Sequence, residues 1–303
     1  MIPYTLGTVI LGGSLLGALS GIIGSFAVLR KESLMGDVLS HAALPGVGIA
    51  FLIAGRNLEF LLIGAGLASM IGVGFIMLIQ KTSRIKSDGA MGIVLSGWFA
   101  CGIGILTYIQ QRQDSSQAGL NSFIFGQAAA ILRKDVHLLT YVSIIIIGIL
   151  IMNWKEFKLI TFDPEFARTI GLRVHLLTAL LMTLTVVTIV MGLQLAGVIL
   201  MAGLLIAPGV AARQWTDRLE VLVILAGLFG SISGALGAII SSLDVDIPTG
   251  PTIIVVVSVF VLISILFAPQ RGIIWVTLKQ HKDAHRLSDH QLPAHQLPEN
   301  END

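Results

Sequence analysis

The sequence predicts an all-α, polytopic membrane bundle, and three observations lead to that prediction. The 303 residues are 54% hydrophobic and only 12% charged, with a mean hydropathy of +0.87. Apolar stretches of membrane length recur along the chain, and lysine and arginine fall almost entirely on one side of them. An average soluble domain is roughly 25% charged, so this chain has too few polar side chains to cover a soluble globule. A soluble enzyme is therefore excluded, and the abundant aliphatic residues exclude a disordered chain.

Nine apolar stretches follow one another, and each is predicted to be a transmembrane helix. The first stretch has no basic residues before it and no small-residue cleavage site after it, so we expect it to stay in the mature chain. Proline or paired glycines within several stretches leave open a broken helix or a re-entrant pair. The nine stretches are residues 6–29, 36–54, 59–80, 91–109, 137–153, 176–191, 195–212, 219–243 and 251–268.

The loop charges predict the orientation, because lysine and arginine concentrate in cytoplasmic loops. One set of alternate loops, together with the C-terminal tail, holds 15 of the 19 basic residues. The opposite set holds only Arg56, Arg112, Arg133 and Lys134. The N-terminus is therefore predicted to lie outside the cell and the C-terminus inside.

Composition divides the chain into two regions. Residues 1–275 form the predicted membrane domain, with a short surface helix expected from Asn121 to Leu132 and a long inside loop at 153–175. Residues 276–303 are polar, lack a helical apolar stripe and are predicted to be a disordered cytoplasmic tail. The tail holds four of the seven histidines at irregular spacing, which favours incidental histidines over a metal-binding tract.

Small residues predict how the spans pack. Gly13, Gly17 and Gly21 recur every four residues in the first stretch, and Gly230 and Gly234 do so in the eighth. Such stripes let helix backbones approach closely in lipid, so they predict a tightly packed bundle.

Ionisable residues within apolar spans are the main candidates for function, because an unpaired charge there is costly. In the second stretch, Asp37 and His41 stand four residues apart and share one helical face, with Pro45 one turn further on. A carboxylate and an imidazole suit Zn²⁺, Mn²⁺ or Fe²⁺, although the two side chains are too few to hold a metal alone. A hydrogen-bonded pair that joins two helices, or a proton relay, explains the same residues.

A second acidic group follows the eighth stretch, where Asp244 and Asp246 precede Pro248, Gly250 and Pro251. Proline and glycine interrupt the helix there, which a membrane tolerates where the segment lines protein or a wet cavity. The two acids therefore fit a place at the outer mouth of a pathway, and they equally fit an exposed polar loop.

The inside loop predicts a short surface helix. Asp163 is suited to cap the N-terminus of the helix, and Pro164 is suited to its first turn. Glu165 is an acid near the positive N-terminal end of the helix dipole, and Gly171 is suited to end the helix. Capping signals specify a helix and no partner, so both a docking element and a solvated connector fit this segment.

The sequence lacks the residues that several functions require, and these functions are therefore excluded or disfavoured. The near-neutral charge of +1 argues against a nucleic-acid partner, and the single cysteine, Cys101, permits no cysteine-based zinc cluster. The chain has neither a G-x-x-x-x-G-K-[ST] loop for ATP nor an H-E-x-x-H metalloprotease motif. We therefore predict that the chain is not an enzyme and that any ATP hydrolysis belongs to a separate subunit.

Five separated segments together resemble the ABC-3 family, the membrane permeases of bacterial zinc, manganese and iron ABC transporters. The resemblance runs from about residue 5 to 275 and is greatest to the manganese-type permeases. It implies a type II importer bundle in the bacterial cell membrane, assembled as a dimer with a second copy or a paralogue. The segments are VLRKESLMGDVLSHAALPGVGIAF, LNSFIFGQA, FDPEFARTIGL, GVILMAGLLIAPGVAA and LDVDIPTGPTIIVVV.

The resemblance also implies roles for single residues. The family's D-x-x-x-H motif falls on Asp37 and His41, which makes them metal contacts, and the acid before I-P-T-G-P falls on Asp246. Asp244 is kept as a further candidate ligand, without a position in the motif. FDPEFARTIGL becomes the element that docks on the ATPase, with its candidate coupling residues at Asp163, Pro164, Glu165, Ala167, Arg168 and Gly171.

The resemblance thus predicts the permease subunit of an ATP-driven importer of a divalent metal, with manganese first and zinc or iron as alternatives. The expected partners are cytoplasmic ABC ATPases, an extracytoplasmic metal-binding protein and the lipid bilayer. No permanently bound cofactor is expected, because the metal is cargo. A permease for siderophores or cobalamin would not need the Asp37 and His41 pair, and a proton-coupled carrier would not need a docking helix.

Overall fold

The computed structural model describes residues 4–55, 57–111, 132–243, 247–269 and 271–275, and these ranges contain helices and no strand. The predicted all-α class is confirmed. In chain order the helices are α1 (Tyr4–Leu29), α2 (Met35–Ala54), α3 (Leu58–Thr82), α4 (Ser87–Gln111), α5 (Arg133–Met152), α6 (Trp154–Phe162), α7 (Pro164–Thr169), α8 (Val174–Ala196), α9 (Val198–Arg213), α10 (Leu219–Ser241) and α11 (Thr249–Phe267).

Eight helices of the described ranges are long and apolar enough to cross a membrane: α1 to α5, α8, α10 and α11. The predicted span at 195–212 differs from the others, because Gly197 adopts a φ of +79° and separates α8 from α9. At 16 residues, α9 rises about 24 Å, which is shorter than a hydrocarbon core of about 30 Å. The nine-span count and the orientation stay predictions.

The glycine stripes of α1 and α10 pack against each other, a pairing that the sequence, which predicted only a tightly packed bundle, did not specify. A Cβ atom added at Gly13 would lie 2.9 Å from the carbonyl oxygen of Gly234, and one added at Gly17 would overlap the backbone of Gly230. Neither position has room for a side chain. The two helix backbones therefore touch along several turns, which makes this the most extensive helix contact in the bundle.

Helix α2 is the most enclosed of the early helices and lies against α3, α4 and α9. Gly46 of α2 and Gly64 of α3 touch through their backbones, since a Cβ atom at Gly64 would lie 2.5 Å from the carbonyl oxygen of Gly46. Gly102 of α4 makes room for Leu44 and Pro45 of α2. This packing holds the helix that carries the candidate metal contacts in a fixed place.

Two short helices, α6 and α7, lie at the end of the bundle that the loop charges predict to be cytoplasmic. Phe26 at the end of α1 meets Trp154 and Phe157 of α6 edge to face, with ring centroids 6.0 and 6.2 Å apart. Phe157 is fully buried. An aromatic cluster therefore attaches α6, and the loop that follows it, to the membrane bundle.

Several predicted features lie outside the described residues. These are residues 121–131 of the predicted surface helix, of which only Leu132 is described, the acids Asp244 and Asp246, and the tail 276–303.

Candidate functional site

Asp37 and His41 are the candidate metal contacts, and one helix places them together. Both lie on α2, where a spacing of four residues brings their side chains to the same face. The Nε2 atom of His41 lies 3.3 Å from Oδ1 of Asp37. The hypothesis of a pair that joins two helices does not describe this contact, because α2 carries both partners.

The surroundings of the two side chains differ. The His41 side chain is 18% exposed and that of Asp37 is 40% exposed. The imidazole packs edge to face on Phe99 of α4, with ring centroids 4.9 Å apart. Phe99 was not predicted from the sequence, because nothing local shows which α4 residue meets α2. Its ring limits the rotation of the imidazole and leaves the carboxylate more open.

The second nitrogen of His41 has no partner among the described residues. Its Nδ1 atom is buried and makes no hydrogen bond to them. A buried polar atom without a partner is costly and uncommon in folded proteins. The imidazole therefore has one donor or acceptor position that the described residues leave unused, while its other nitrogen faces the Asp37 carboxylate.

Pro45 adds a backbone oxygen to this region. A proline has no N–H, so Pro45 within α2 removes the bond that the His41 carbonyl would otherwise accept from the residue four positions on. The carbonyl of the same residue that carries the imidazole thus loses its regular helical partner. Carboxylate and carbonyl oxygens suit Mn²⁺, and an imidazole nitrogen suits Zn²⁺ and Fe²⁺.

The pair alone does not complete a metal site. Within the described ranges, no three or more His, Cys, Asp or Glu side chains come close enough together to hold a metal ion. Asp37 also lies in the first turn of α2, where a carboxylate stabilises the helix end. Further metal ligands would have to come from outside the described part of this chain.

The loop at 153–175 forms the predicted surface helix, now α7. Oδ1 of Asp163 accepts a hydrogen bond from the Phe166 N–H at 2.9 Å, which confirms the predicted N-cap. Pro164 occupies the first turn, and Gly171 adopts a φ of +86° just after the helix end. Ala167 is fully buried and turns one face of α7 inward, while Glu165 and Arg168 are exposed.

Three large apolar side chains on and beside α7 are exposed, and the candidate coupling residues did not include them. Phe162, Phe166 and Ile170 are each more than half exposed. Their spacing of four residues was visible in the sequence, but no single helix carries all three. Phe166 lies on α7, whereas Phe162 ends α6 and Ile170 directly follows α7. An apolar surface outside the apolar spans is typical of an interaction site.

A family model described as the ABC 3 transport family matches residues 3–268. The chain belongs to the ABC 3 transport family.

Named relatives agree with this membership. The chain is 46% identical to the zinc transport system membrane protein TroC of Treponema pallidum over 90% of this chain and 92% of TroC. It is 45% identical to the manganese transport system membrane protein MntC of Bacillus subtilis over 94% of this chain and 66% of MntC. Among solved structures, PsaBC from Streptococcus pneumoniae in complex with Fab matches with a TM-score of 0.78 at 29% identity, covering 91% of this chain and 95% of that one.

The ABC 3 assignment confirms the resemblance predicted from five motifs. Together with the eight apolar helices, it makes this chain a multi-pass protein of the bacterial membrane. This ABC 3 family member carries two separate candidate features, the Asp37 and His41 pair on α2 and the capped helix α7.

Proposed function

We propose that this chain is the membrane permease subunit of an ATP-driven importer of a divalent metal ion, with Mn²⁺ as the first candidate and Zn²⁺ or Fe²⁺ as alternatives. Family membership and the zinc and manganese transport relatives support this class of cargo. The observation that carries the proposal is the Asp37 and His41 pair, with its buried and unpartnered Nδ1 atom.

The pair would act as a transient contact on the metal pathway. Asp37 offers a carboxylate oxygen and His41 an imidazole nitrogen, and two side-chain ligands are too few to trap the ion. Weak coordination suits transport, because a site must bind well enough to admit an ion and poorly enough to release it. A second permease subunit, the same chain or a paralogue, would bring the further ligands that the pair lacks.

Helix α7 would receive the motion of the ATPase. Phe166 on α7, with Phe162 before it and Ile170 after it, provides exposed apolar side chains for a cytoplasmic partner, and the Asp163 cap fixes the start of α7. On its inner side, Ala167 belongs to the same buried cluster as Phe157 and Phe26. A displacement of α7 would thus reach α1 through packed side chains and switch the pathway between its two openings.

The outer end would receive the ion from an extracytoplasmic metal-binding protein. Asp246, and with it Asp244, would attract the cation by charge before it enters the bundle. The ion would then pass to Asp37 and His41, which by the predicted orientation lie nearer the cytoplasmic side of the membrane.

ATP-dependent uptake of radiolabelled Mn²⁺ and Zn²⁺ tests this function, in vesicles that hold the chain with its ATPase and its binding protein. We expect Asp37→Ala and His41→Ala each to abolish uptake of the transported metal while the complex stays assembled. The matched controls are Asp88→Ala, an exposed carboxylate in the first turn of α4, and His137→Ala, an exposed histidine on α5. Uptake that persists in both pair variants would contradict the proposed contact.

The same vesicles separate the two rival functions. A proton-coupled carrier would accumulate metal without ATP and would depend on a pH gradient. A siderophore or cobalamin permease would transport a chelate and ignore the free ion. The capped helix α7 and the exposed apolar side chains on and beside it favour the ATP-driven importer over the proton-coupled carrier, because a carrier needs no docking helix.

A further inference from the structure

A cavity of about 830 Å³ lies where α1 and α3 end and α8 begins. Helices α6 and α7 close its side through Ile160, Thr161 and Pro164. Three segments of the chain far apart in sequence therefore meet around one space, and the loop charges predict all three to be cytoplasmic. Pro164 and Arg168 of the candidate coupling residues also line this cavity, whereas Asp37, His41 and the exposed apolar side chains Phe162, Phe166 and Ile170 do not.

The cavity is lined by an excess of positive charge. Its ionisable side chains are Arg30, Glu32, Lys81, Arg168, Arg173 and His175. Glu32 is the only acidic side chain that lines it among the described residues, so at least three positive charges are uncompensated there. Four basic side chains around one space attract an anion more strongly than any one of them would alone.

Glu32 does not neutralise the other basic side chains of the cavity, because it already forms an ion pair with Arg30. Nε and Nη2 of Arg30 each donate to one carboxylate oxygen of Glu32 at 3.1 Å, and the pair is largely buried. Nη1 of Arg30 donates to Oγ1 of Thr178 at 3.4 Å. Within the described residues, Lys81, Arg168 and Arg173 make no ion pair, so their charges remain available to a ligand.

Polar and apolar groups alternate around these charges. Gln80, Thr161 and Thr178 supply amide and hydroxyl groups, while Met77 and Leu176 supply apolar surface. Leu176 is more than half exposed, so part of this apolar surface is open to the outside of the bundle. A lining of this kind matches a molecule that has an anionic group at one end and hydrocarbon at the other.

We propose that this cavity binds a phosphate-bearing anion, and that its occupant is the headgroup of an anionic phospholipid of the inner leaflet. Guanidinium and ammonium groups are the side chains that bind phosphate oxygens, and arginine does so with two parallel hydrogen bonds. The cavity lies at the ends of membrane helices, which is the depth of lipid headgroups, and basic pockets there bind acidic lipids. A free phosphate has the same binding chemistry without the hydrocarbon.

Binding measurements on the purified full-length chain test this site. The probes are dihexanoyl phosphatidylglycerol, dihexanoyl phosphatidylcholine and inorganic phosphate, each titrated into delipidated protein in detergent and followed by native mass spectrometry or calorimetry. The test variant is Lys81→Gln with Arg173→Gln, which removes two exposed charges and leaves α7 intact. The matched control is Arg84→Gln with Lys86→Gln, which removes two exposed charges from the neighbouring loop outside the cavity.

We expect phosphatidylglycerol to bind at least tenfold more tightly than phosphatidylcholine. The cavity variant should weaken that binding by roughly 30-fold, since each basic group near a membrane surface contributes about one factor of five. The control should change it less than twofold. Inorganic phosphate that binds as tightly as phosphatidylglycerol, and is lost in the cavity variant, would support the phosphate site and assign it to a free anion.

Three results would overturn the proposal. The first is equal binding of the two lipids, and the second is an equal loss in the test and control variants. The third is unchanged binding of phosphatidylglycerol by the cavity variant together with a loss of ATPase association, which would assign these charges to a protein interface.

Discussion

Gly17 of α1 lies directly against the carbonyl oxygen of Gly230 of α10, and the reverse contact joins Gly230 to the carbonyl oxygen of Gly17. Each glycine therefore leaves the space that the other backbone occupies. In lipid, where burial of apolar surface does not drive helices together, such close approach is a main source of their association.

Gly17→Ala should destabilise the bundle, because its methyl group would overlap the α10 backbone, which cannot move like the end of a side chain. Overpacking of this kind costs about 1–3 kcal/mol or more. Thermal unfolding of the purified chain measures the change. The control is Gly74→Ala on α3, where the added methyl meets nothing within 4 Å. A Gly17 variant as stable as the Gly74 variant would show that α1 and α10 can separate without cost.

Asp37→Asn should reduce metal uptake by at least about tenfold, because it keeps the shape of the side chain and removes the charge that binds the cation. The His41 ring should keep its place against Phe99, so the fold and the complex should remain intact. Initial uptake rates in vesicles measure the effect, with Asp88→Asn as the control. Equal uptake by Asp37→Asn and wild type would mean that the carboxylate charge has no part in transport.

Asp163→Ala should lower the stability of α7 by about 1 kcal/mol, because the Phe166 N–H loses its side-chain acceptor. We expect the ATPase to dissociate more readily and the metal-stimulated ATP hydrolysis to fall. Asp163→Ser keeps an N-cap acceptor and should restore both. If Asp163→Ser does not restore ATPase association and ATP hydrolysis, the charge of Asp163 matters and the loss of the N-cap does not explain the effect.

Phe166→Ala should weaken binding of the ATPase by roughly 30-fold, which is the loss typical of a buried aromatic residue at an interface. The isolated chain should keep its thermal stability, because Phe166 is 52% exposed. Pull-down or surface plasmon resonance with the purified ATPase measures the affinity. Ile144→Ala on α5 is the control, since that side chain is equally apolar, 63% exposed and far along the chain from α7.

Much of this fold follows from local sequence. The long apolar stretches predict the membrane helices, because each must satisfy its own backbone hydrogen bonds in lipid. The spacing of Asp37 and His41 predicts their shared face, and the cap and stop residues predict α7. The boundary predicted at 192–194, between the sixth and seventh stretches, lies a few residues later, at Gly197 with its positive φ, because apolar residues continue across it and no local signal marks the exact break.

The candidate site is predictable only in part. Asp37 and His41 were found because ionisable residues are rare in apolar spans, and their contact lies within one helix turn. Phe99, which packs on His41, was not found because α4 is about 60 residues further along the chain. The outer acids Asp244 and Asp246 lie outside the described residues, so their relation to the pair stays a prediction.

The sequence by itself determined the class of the protein, its helices and the pair on α2, because periodicity, composition and capping act over a few residues. Only the tertiary structure decided that the glycines of α1 meet those of α10. It alone also brought Arg30, Lys81 and Arg173 around one cavity and left Phe162, Phe166 and Ile170 uncovered. These are contacts between distant segments, and they depend on how the whole bundle packs, which no local pattern specifies.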